Sequence, residues 1–515
     1  MDENRRQDYL KLIDSLLSCP DGEETQTLQA NPELVDAELV QVMLSVAEQM
    51  AAEGDGNASW LRKYAVEIAH SLGMVAATPE EYLQFLMQVL ETIDESGGNQ
   101  QVVYPLLKAN LDKLDDGLTQ ILQVWATKTL AKVETQQAPS IAYILGSLGN
   151  RMQEFPLGNK ASNLETAIAC YQNALEVRTR EAMPVNWAMT QNNLAIAYSD
   201  RILGDKANNI EEAIACYQNA LEVRTREAMP VNWAMTQNNL ANAYSERILG
   251  DKANNIEEAI ACFHNALQVR TREAMPVDWA MTQNNLANAY SDRILGDKAN
   301  NIEDAIACFH NALQVYTREA FPIDWARIQH NLANVYRDRI REDKANNIEN
   351  AIACYHNALE VRTRAALPIN WANTQDNLGL AYSNRILGDK AQNIEEAIAL
   401  YHNALEIRTR EALPLEWATT QHNLASAYSN RIFGDKAHNL ENAIACCQNA
   451  LEVLTRETFP RNWARIQYNL GNSLRERFKL LGKGEDIQQA IASYKLAIQV
   501  FQETDNQELL ANCSY

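Results

Sequence analysis

Apolar positions recur along most of this chain at helical spacing, inside a block that repeats every 46 residues. Counted from Trp187, apolar or small residues stand at positions 0, +7, +8, +11 and +15, the last being Ile202. This is the spacing of a helix that turns one face toward a core. We therefore predict that each block begins with an amphipathic helix.

A second apolar stripe follows in every block, after the loop LGDKANN. We expect Gly204 to end the first helix and an Asn to cap the second, with Glu211 and Glu212 in its first turn. The second helix should end before Pro230. Each block is then a helical hairpin that buries its stripes only by stacking on its neighbours. The second stripe in the first block consists of Ile210, Ala213, Ile214, Tyr217, Ala220 and Leu221.

The blocks are regular enough to be named by their tryptophans, which are spaced by 46 without insertion or deletion. An eighth block precedes them. Its first helix, Ile141–Phe155, keeps Leu148 and Gly149 of the repeat pattern but lacks the Trp. We predict an all-helical N-terminal region over 1–136, a repeat array over 137–503 and a short tail over 504–515. The tryptophans are Trp187, Trp233, Trp279, Trp325, Trp371, Trp417 and Trp463.

The blocks resemble the tetratricopeptide repeat (TPR), although the TPR unit is 34 residues long and these are 46. The resemblance implies an all-α, right-handed α-solenoid, a TPR-like superhelix, here with an N-terminal helical domain. The residues that match the TPR signature in one block are Leu240, Ala241, Tyr244, Ala259, Phe263, Ala266 and Pro276.

The amino-acid composition argues against several classes of function. Lys and Arg number 45 against 67 Asp and Glu, a formal charge of −22, which opposes binding to nucleic acid. The N-terminus lacks the apolar segment of a signal peptide, and no apolar run approaches the 18 residues that a membrane span needs. We expect a cytoplasmic protein that binds neither nucleic acid nor membrane.

Two ladders of reactive residue types are better explained by packing than by chemistry. One position is Cys in six blocks and Leu400 in another, so we predict a buried apolar slot holding free thiols in a reducing compartment. Histidines on the second helix stand one block apart, roughly 10 Å, too far to share a metal ion. We expect a hydrogen-bonded ladder there, and no cofactor. These histidines are His264, His310, His356 and His402.

Positions that never vary are Gln at +4, Asn at +6 and Arg at +14. Seven identical amides favour a hydrogen-bond ladder between blocks over a catalytic role, since buried amides must be paired. No Gly-rich phosphate loop or nucleophile motif occurs, so we expect no enzymatic activity.

Variation concentrates at +2, +5, +9 and +12, which in TPR-like repeats face the concave groove. Two blocks carry Arg at both +2 and +12, and guanidinium groups suit carboxylates. We predict that Arg327, Arg337, His330 and Asn334 hold an acidic or C-terminal carboxylate of a peptide. The candidate peptide-binding residues are Asn238, Asn242, Asn284, Asn288, Arg327, His330, Asn334, Arg337, Asn373, Asp376, His422, Arg465, Tyr468 and Arg475.

An alternative is that these arginines pair with Asp338 and Glu476 on a solvated face. Some TPR domains clamp a C-terminal carboxylate with Lys and Asn, and the resemblance places Asn242, Asn285 and Arg327 at matching or closely substituted positions. The other two clamp positions hold Asn238 and Asn331 instead of basic residues.

The chain as a whole resembles the TPR arrays of cyanobacterial proteins that end in a caspase-like CHAT protease domain, but no such domain follows the array. The resemblance implies a scaffold or sensor for a protein or peptide. Alternatively, the chain is a regulatory subunit of a separately encoded effector such as a caspase-like protease. The tail is too short for a full cap, so either it folds back as a minimal cap or the apolar C-terminal end seeks a partner, for which self-association is one hypothesis.

Overall fold

The computed structural model describes residues 3–19, 24–53, 57–71 and 77–503, and all regular structure in these residues is helical. The chain forms two compact units, here called the N-terminal half (Met1–Leu249) and the C-terminal half (Gly250–Tyr515). Each half is a stack of helices in regular succession, which confirms the predicted all-α solenoid fold. The division falls inside the repeat array, and the domain boundary near residue 136 stays a prediction.

The N-terminal half opens with helices that do not follow the 46-residue pattern. Tyr9, Ile13, Leu39, Met43 and Leu61 form the buried core of the first four. The helices are α1 (Glu3–Ser18), α2 (Glu24–Gln29), α3 (Ala37–Glu53), α4 (Ala58–Ser71), α5 (Pro79–Ser96), α6 (Gln100–Lys108) and α7 (Asp116–Leu130), with 3-10 turns at Pro32–Leu34 and Leu111–Lys113.

These opening helices contain one local arrangement twice. The Tyr9 hydroxyl on α1 donates to Asp36 Oδ2 at 2.6 Å, and the Tyr82 hydroxyl on α5 donates to Asp115 at 2.7 Å. Each Asp stands just before a helix, α3 or α7, and accepts backbone N–H groups of its first turn. Helical periodicity alone did not reveal this duplication, because it depends on a tyrosine and a distant cap.

The array supplies the remaining helices. The first helix of each Trp block has Pro at its start, where a missing N–H costs nothing. These helices are α8 (Ala138–Glu154), α9 (Lys160–Leu175), α10 (Pro184–Asp200), α11 (Lys206–Leu221), α12 (Pro230–Glu246), α13 (Lys252–Leu267), α14 (Pro276–Asp292), α15 (Lys298–Leu313), α16 (Pro322–Asp338), α17 (Lys344–Leu359), α18 (Pro368–Ser383), α19 (Lys390–Leu405), α20 (Pro414–Asn430), α21 (Lys436–Leu451), α22 (Pro460–Leu481) and α23 (Gly484–Glu503).

The loop between the helices of a block differs from the prediction. The cap of α11 is Asp205, whose side chain accepts from the Asn208 N–H at 2.9 Å, so the predicted Asn cap was wrong. The helix begins earlier than expected, and Glu211 lies in its second turn. Asn209 is buried and donates to the Leu203 carbonyl at 2.9 Å. This hydrogen bond stabilises the turn in which Gly204 adopts a φ of 80°.

The predicted second stripe is buried in α11, with only Leu221 partly exposed. The first stripe is buried or half-buried up to Tyr198, but Ile202 is 61% exposed, contrary to the prediction. The reason is that α10 ends at Asp200, so the chain has left the helix before position +15.

The cysteine slot is a core position, as predicted. Five of its six thiols are buried, Cys354 is partly buried, and all are free cysteines. Cys447, which replaces an aromatic residue, is completely buried. Burial raises the pKa of the Cys446 thiol to about 12.

At the C-terminal end, α23 buries Val500 and Phe501 and leaves Ile491 and Leu496 exposed. The predicted tail over 504–515 lies outside the described residues. Self-association through this end stays a prediction.

Candidate ligand-binding face of the repeats

Adjacent blocks are joined by a bidentate ion pair at the fixed Arg of position +14. Arg201 Nε and Nη2 contact the two carboxylate oxygens of Glu165 on the preceding block at 2.7 Å each. The remaining Arg–Glu pairs of this kind are Arg247–Glu211, Arg293–Glu257, Arg339–Glu303, Arg385–Glu349 and Arg431–Glu395. Two parallel bonds fix orientation as well as distance, so these pairs set the register of the stack.

The predicted histidine ladder is confirmed as a set of contacts between blocks. His310 Nε2 lies 3.0 Å from the Tyr336 hydroxyl of the next block, and the other three histidines contact the equivalent tyrosines. Gln172 and Gln218 make the same contact where His is absent. Burial lowers the pKa of each of the four histidines.

The fixed amides divide between two roles. Asn193 of position +6 donates to Asn150 of the preceding block at 2.9 Å, and Asn331 donates to Asn288 at 3.3 Å. This part of the predicted ladder is confirmed. Gln283 of position +4 instead accepts from Asn311 at 3.4 Å within its own block. The Gln therefore joins the two helices of a hairpin, and its assignment to a ladder between blocks was wrong.

Position +5, expected to face the groove, is buried between blocks in most repeats. Asn192 accepts from Thr236 of the next block at 3.1 Å, and His330 Nδ1 lies 3.1 Å from Thr374 in the same way. Burial and nearby arginines lower the pKa of His330 to about 3, so its imidazole is neutral near pH 7. The buried +5 side chains are Asn192, Asn238, Asn284, His330 and Asp376.

A buried arginine near the end of the second helix completes this layer, and sequence reasoning missed it. Its Nη1 donates to the Thr at +3 of the following block. The signal was present in the sequence, because the arginine and the threonine are replaced together, by Tyr316 with Ile328 and by Leu454 with Ile466. The five pairs are Arg178–Thr190, Arg224–Thr236, Arg270–Thr282, Arg362–Thr374 and Arg408–Thr420.

Asp376 is the only acidic residue at +5, and its carboxylate is buried in this layer. It lies 3.4 Å from Arg408 Nη1 and accepts from Asn423 Nδ2 at 3.3 Å. Desolvation raises the pKa of the Asp376 carboxyl, and the Arg408 charge opposes that shift.

Four of the predicted site residues come together in the C-terminal half. A cavity of about 280 Å³ is lined by Arg337, Asp376, His422 and Arg465, which come from four successive blocks. A second cavity of about 390 Å³ shares Arg337 and Asn377 with the first and adds two more predicted residues, Asn288 and Asn334. We call the two together the Arg337 groove. Its further lining residues include Asn288, Asn331, Asn334, Asn377 and Asn423.

The groove contains buried polar nitrogens without protein partners. Arg337 Nε contacts Asp338 at 3.2 Å, but its Nη1 is buried and unpaired. His422 Nδ1 is likewise buried and unpaired, and burial beside Arg465 lowers the pKa of His422 to about 4. Two guanidinium groups and a neutral imidazole form an environment that suits a carboxylate.

The other predicted residues are engaged elsewhere. Arg327 pairs with Asp324 at 3.0 Å and Arg475 with Glu476 at 3.4 Å, each on its own helix. Arg337 and Arg475 thus make the pairs with Asp338 and Glu476 that the alternative expected, but each also keeps a buried, unpaired nitrogen, so the solvated face of that alternative is not observed. Asn373 accepts from Arg408 at 2.9 Å. Tyr468 packs on Tyr494, Asn242 lines a cavity in the N-terminal half, and the clamp residue Asn285 accepts from Asn284 at 3.0 Å.

No protein-family model matches the sequence, and no curated protein matches it. Solved structures with similar folds are TPR proteins at low identity. A signal transduction ATPase with numerous domains and a TPR sensor, from Pyrococcus horikoshii, is 13% identical, with 90% of this chain and 69% of that chain covered and a TM-score of 0.47. The C-terminal part of a TPR repeat-containing protein from Cytophaga hutchinsonii is 12% identical, covering 60% and 96%, with a TM-score of 0.35. The apo form of RapI is 14% identical, covering 82% and 99%, with a TM-score of 0.47.

Two further observations bear on function. Among the helices that the structure describes, none combines the length and apolarity that crossing a bilayer requires. Within the described ranges, no group of three or more His, Cys, Asp or Glu side chains is placed to hold a metal ion.

Proposed function

We propose that this chain is a non-catalytic interaction scaffold or sensor, and that the Arg337 groove binds an acidic peptide or a peptide's C-terminal carboxylate. The observation that carries the proposal is the unpaired, buried Nη1 of Arg337 at the junction of two cavities. A buried guanidinium nitrogen without a partner is costly, and an incoming carboxylate would satisfy it.

Asparagine amides support an extended peptide as the ligand. The groove continues past Arg337 along Asn288, Asn331 and Asn334, whose side-chain amides carry both donors and acceptors, the two kinds of group that a peptide backbone offers. An acidic side chain or terminus near Arg337 and Arg465 would fix the position of the peptide in the groove. Because the whole chain carries a net charge of −22, an acidic ligand needs such a local basic site in order to bind.

The alternative proposal is that the chain is a regulatory subunit of a separately encoded effector such as a caspase-like protease. It rests on the resemblance of the repeats to the arrays that precede such proteases. The two proposals differ in their readout, since only the second requires that a bound partner change its activity.

The binding test uses the full chain and fluorescein-labelled acidic heptapeptides, with a free or an amidated C-terminus, measured by fluorescence anisotropy. We expect Arg337→Ser to weaken binding at least tenfold, because Ser is the residue at +12 in most blocks and should fold there without strain. Arg465→Thr, which copies the residue at Thr419, should weaken binding similarly. A lysate pull-down with the same variants would then identify the natural partner.

Arg364→Ser provides the matched control, because Arg364 is exposed and pairs with Glu406 outside the groove. It should bind as the wild type does. If acidic peptides bind equally to wild type, Arg337→Ser and Arg364→Ser, recognition lies outside the Arg337 groove and the proposed site is wrong.

A further inference from the structure

Gly146 on α8 occupies position +5 of the first, Trp-lacking block, where every other block carries a side chain. A Cβ at this position would stand 2.8 Å from Arg178 Nη1. The guanidinium of Arg178 therefore lies directly against the helix backbone. The guanidinium thus takes space that a +5 side chain fills in the other blocks, and it forms part of a cavity wall.

A cavity of about 280 Å³ lies beside Gly146, entirely within the N-terminal half. Its wall is rich in hydrogen-bonding groups, and Gly97 and Gly98, in the turn after α5, form part of its rim. The polar residues that line it are Tyr143, Ser147, Asn150, Arg151, Tyr171, Arg178, Thr190 and Asn193.

Arg178 is a buried cation without an anion. It is 4% exposed, Nη1 donates to Thr190 at 2.8 Å, and its buried Nε has no partner. Among the described residues no carboxylate forms an ion pair with it. Arg151 adds a second guanidinium to the cavity wall, where it contacts Glu154 at 3.1 Å. Burying a charge in this way is unfavourable unless a counter-charge is supplied. Arg224 is buried with an unpaired Nε in the same way, so the cavity and Arg151 are what distinguish the Arg178 site.

The chain contains an occupied version of the same site five blocks later. There Asp376 stands in the register of Gly146, and its carboxylate lies 3.4 Å from Arg408 Nη1 and 3.3 Å from Asn423 Nδ2. Arg178, Thr190 and Asn193 are the counterparts of Arg408, Thr420 and Asn423. The same donors surround a carboxylate in one block and line a cavity in the other.

We infer that the cavity beside Gly146 binds a small carboxylate, which pairs with Arg178 as the Asp376 side chain pairs with Arg408. Arg178 is the residue that pairs with the ligand's charge, and Asn193 supplies an amide N–H beyond the one it donates to Asn150. Arg151 makes a dicarboxylate a better ligand than a monocarboxylate. The inference is independent of the Arg337 groove, which lies in the other half of the chain.

The test measures binding of succinate and acetate to the full chain by calorimetry and by thermal unfolding at pH 7.5, against sodium chloride at equal ionic strength. We expect succinate to bind once per chain and to raise Tm, acetate to do so more weakly, and chloride to have no effect. Arg178→Gln should abolish the succinate effect. Gly146→Asp should also abolish it, because the new carboxylate pairs with Arg178 as Asp376 does with Arg408, once Arg178 has shifted away from the new Cβ.

Arg224→Gln is the control, because Arg224 is the equivalent buried arginine of a block whose +5 residue, Asn192, is present. It should keep the full succinate effect even if its Tm falls. The inference is overturned if wild type does not bind succinate, if Gly146→Asp still binds it, or if Arg224→Gln loses it to the same extent. Inorganic phosphate binding as tightly as succinate would also overturn the assignment to carboxylates.

Discussion

Arg385 and Glu349 face each other across a block boundary, with Nε to Oε1 at 2.7 Å and Nη2 to Oε2 at 2.8 Å. Both side chains are about 30% exposed, so solvent screens the pair only in part. We expect Arg385→Met to lower the free energy of unfolding by about 1 kcal/mol, since it removes a bidentate contact between blocks. Urea denaturation followed by circular dichroism measures this change.

Arg364→Met is the control for that substitution. The Arg364–Glu406 pair is more exposed, at 59% and 44%, and its removal should change stability by less than about 0.3 kcal/mol. Equal losses in the two variants would show that burial and bidentate geometry add nothing to the Arg385 pair.

Stability should fall in mild acid because of His330. Its pKa is about 3 in the folded protein and about 6.5 when unfolded, so the folded state binds fewer protons below pH 6.5. Its contribution is complete above pH 6.5 and is lost as the pH falls toward 3. At pH 5 the loss is about 2 kcal/mol, and His330→Asn, which copies Asn284, should reduce it. Denaturation midpoints at pH 7 and pH 5 test this.

His438→Asn serves as the comparison, because the His438 side chain is 68% exposed. This variant should retain the full acid sensitivity of the wild type. If His330→Asn is as acid-sensitive as His438→Asn, His330 does not carry the effect.

The hairpins were predictable because the apolar positions recur in seven blocks of 46 residues. An error in assigning a position in one block would be exposed by the other six. The same regularity predicted the histidine ladder and the cysteine slot. The cap was missed because LGDKANN offers both Asp205 and Asn208 or Asn209, and the choice depends on where the helix starts. The helix starts at Lys206, so Asn209 lies in its first turn and bonds back to the Leu203 carbonyl of the loop, which spacing does not report.

The site was predictable only in part. Comparing blocks identified Arg337, His422 and Arg465, because they differ from their counterparts. This comparison could not distinguish His330 from the groove residues, because its position varies as much between blocks although its side chain lies buried against Thr374. The burial of Arg178 was not predicted, because an arginine in a polar stretch of sequence is usually exposed to solvent. Its exchange partner, the Thr at +3, lies in the next block, so only a paired comparison of blocks reveals the contact.

The core thiols should resist modification. Burial raises the pKa of Cys216, Cys262 and Cys308 to about 12, so almost no thiolate exists at pH 8. In a Cys19→Ser/Cys513→Ser variant we expect the seven remaining thiols to react with Ellman's reagent over hours in native buffer and within minutes in 6 M guanidinium. Rapid native labelling of several thiols would mean that the blocks open readily.

The exchange of the buried Arg–Thr pair for Tyr316 and Ile328 predicts strong coupling between these two positions. Tyr316→Arg alone places a guanidinium next to an aliphatic side chain and should cost about 3 kcal/mol. Ile328→Thr alone should cost about 1 to 2 kcal/mol, because it removes buried apolar volume. The double variant restores the arrangement of Arg270 and Thr282, which lie 3.0 Å apart, and should cost at least about 1 kcal/mol less than the sum.

The charge of Arg327 provides a further test of the coupling between positions 316 and 328. Where the buried Arg–Thr pair is kept, the block that supplies the Thr has Met, Asn or Thr at +2, whereas the block that supplies Ile328 has Arg327 there. A guanidinium at 316 would be repelled by Arg327, just as the charge of Arg327 together with burial lowers the pKa of Arg362 to about 10. In an Arg327→Met background the double variant should therefore recover more stability. If the losses of stability are additive in both backgrounds, the three residues do not interact, and their joint replacement reflects the common descent of the blocks.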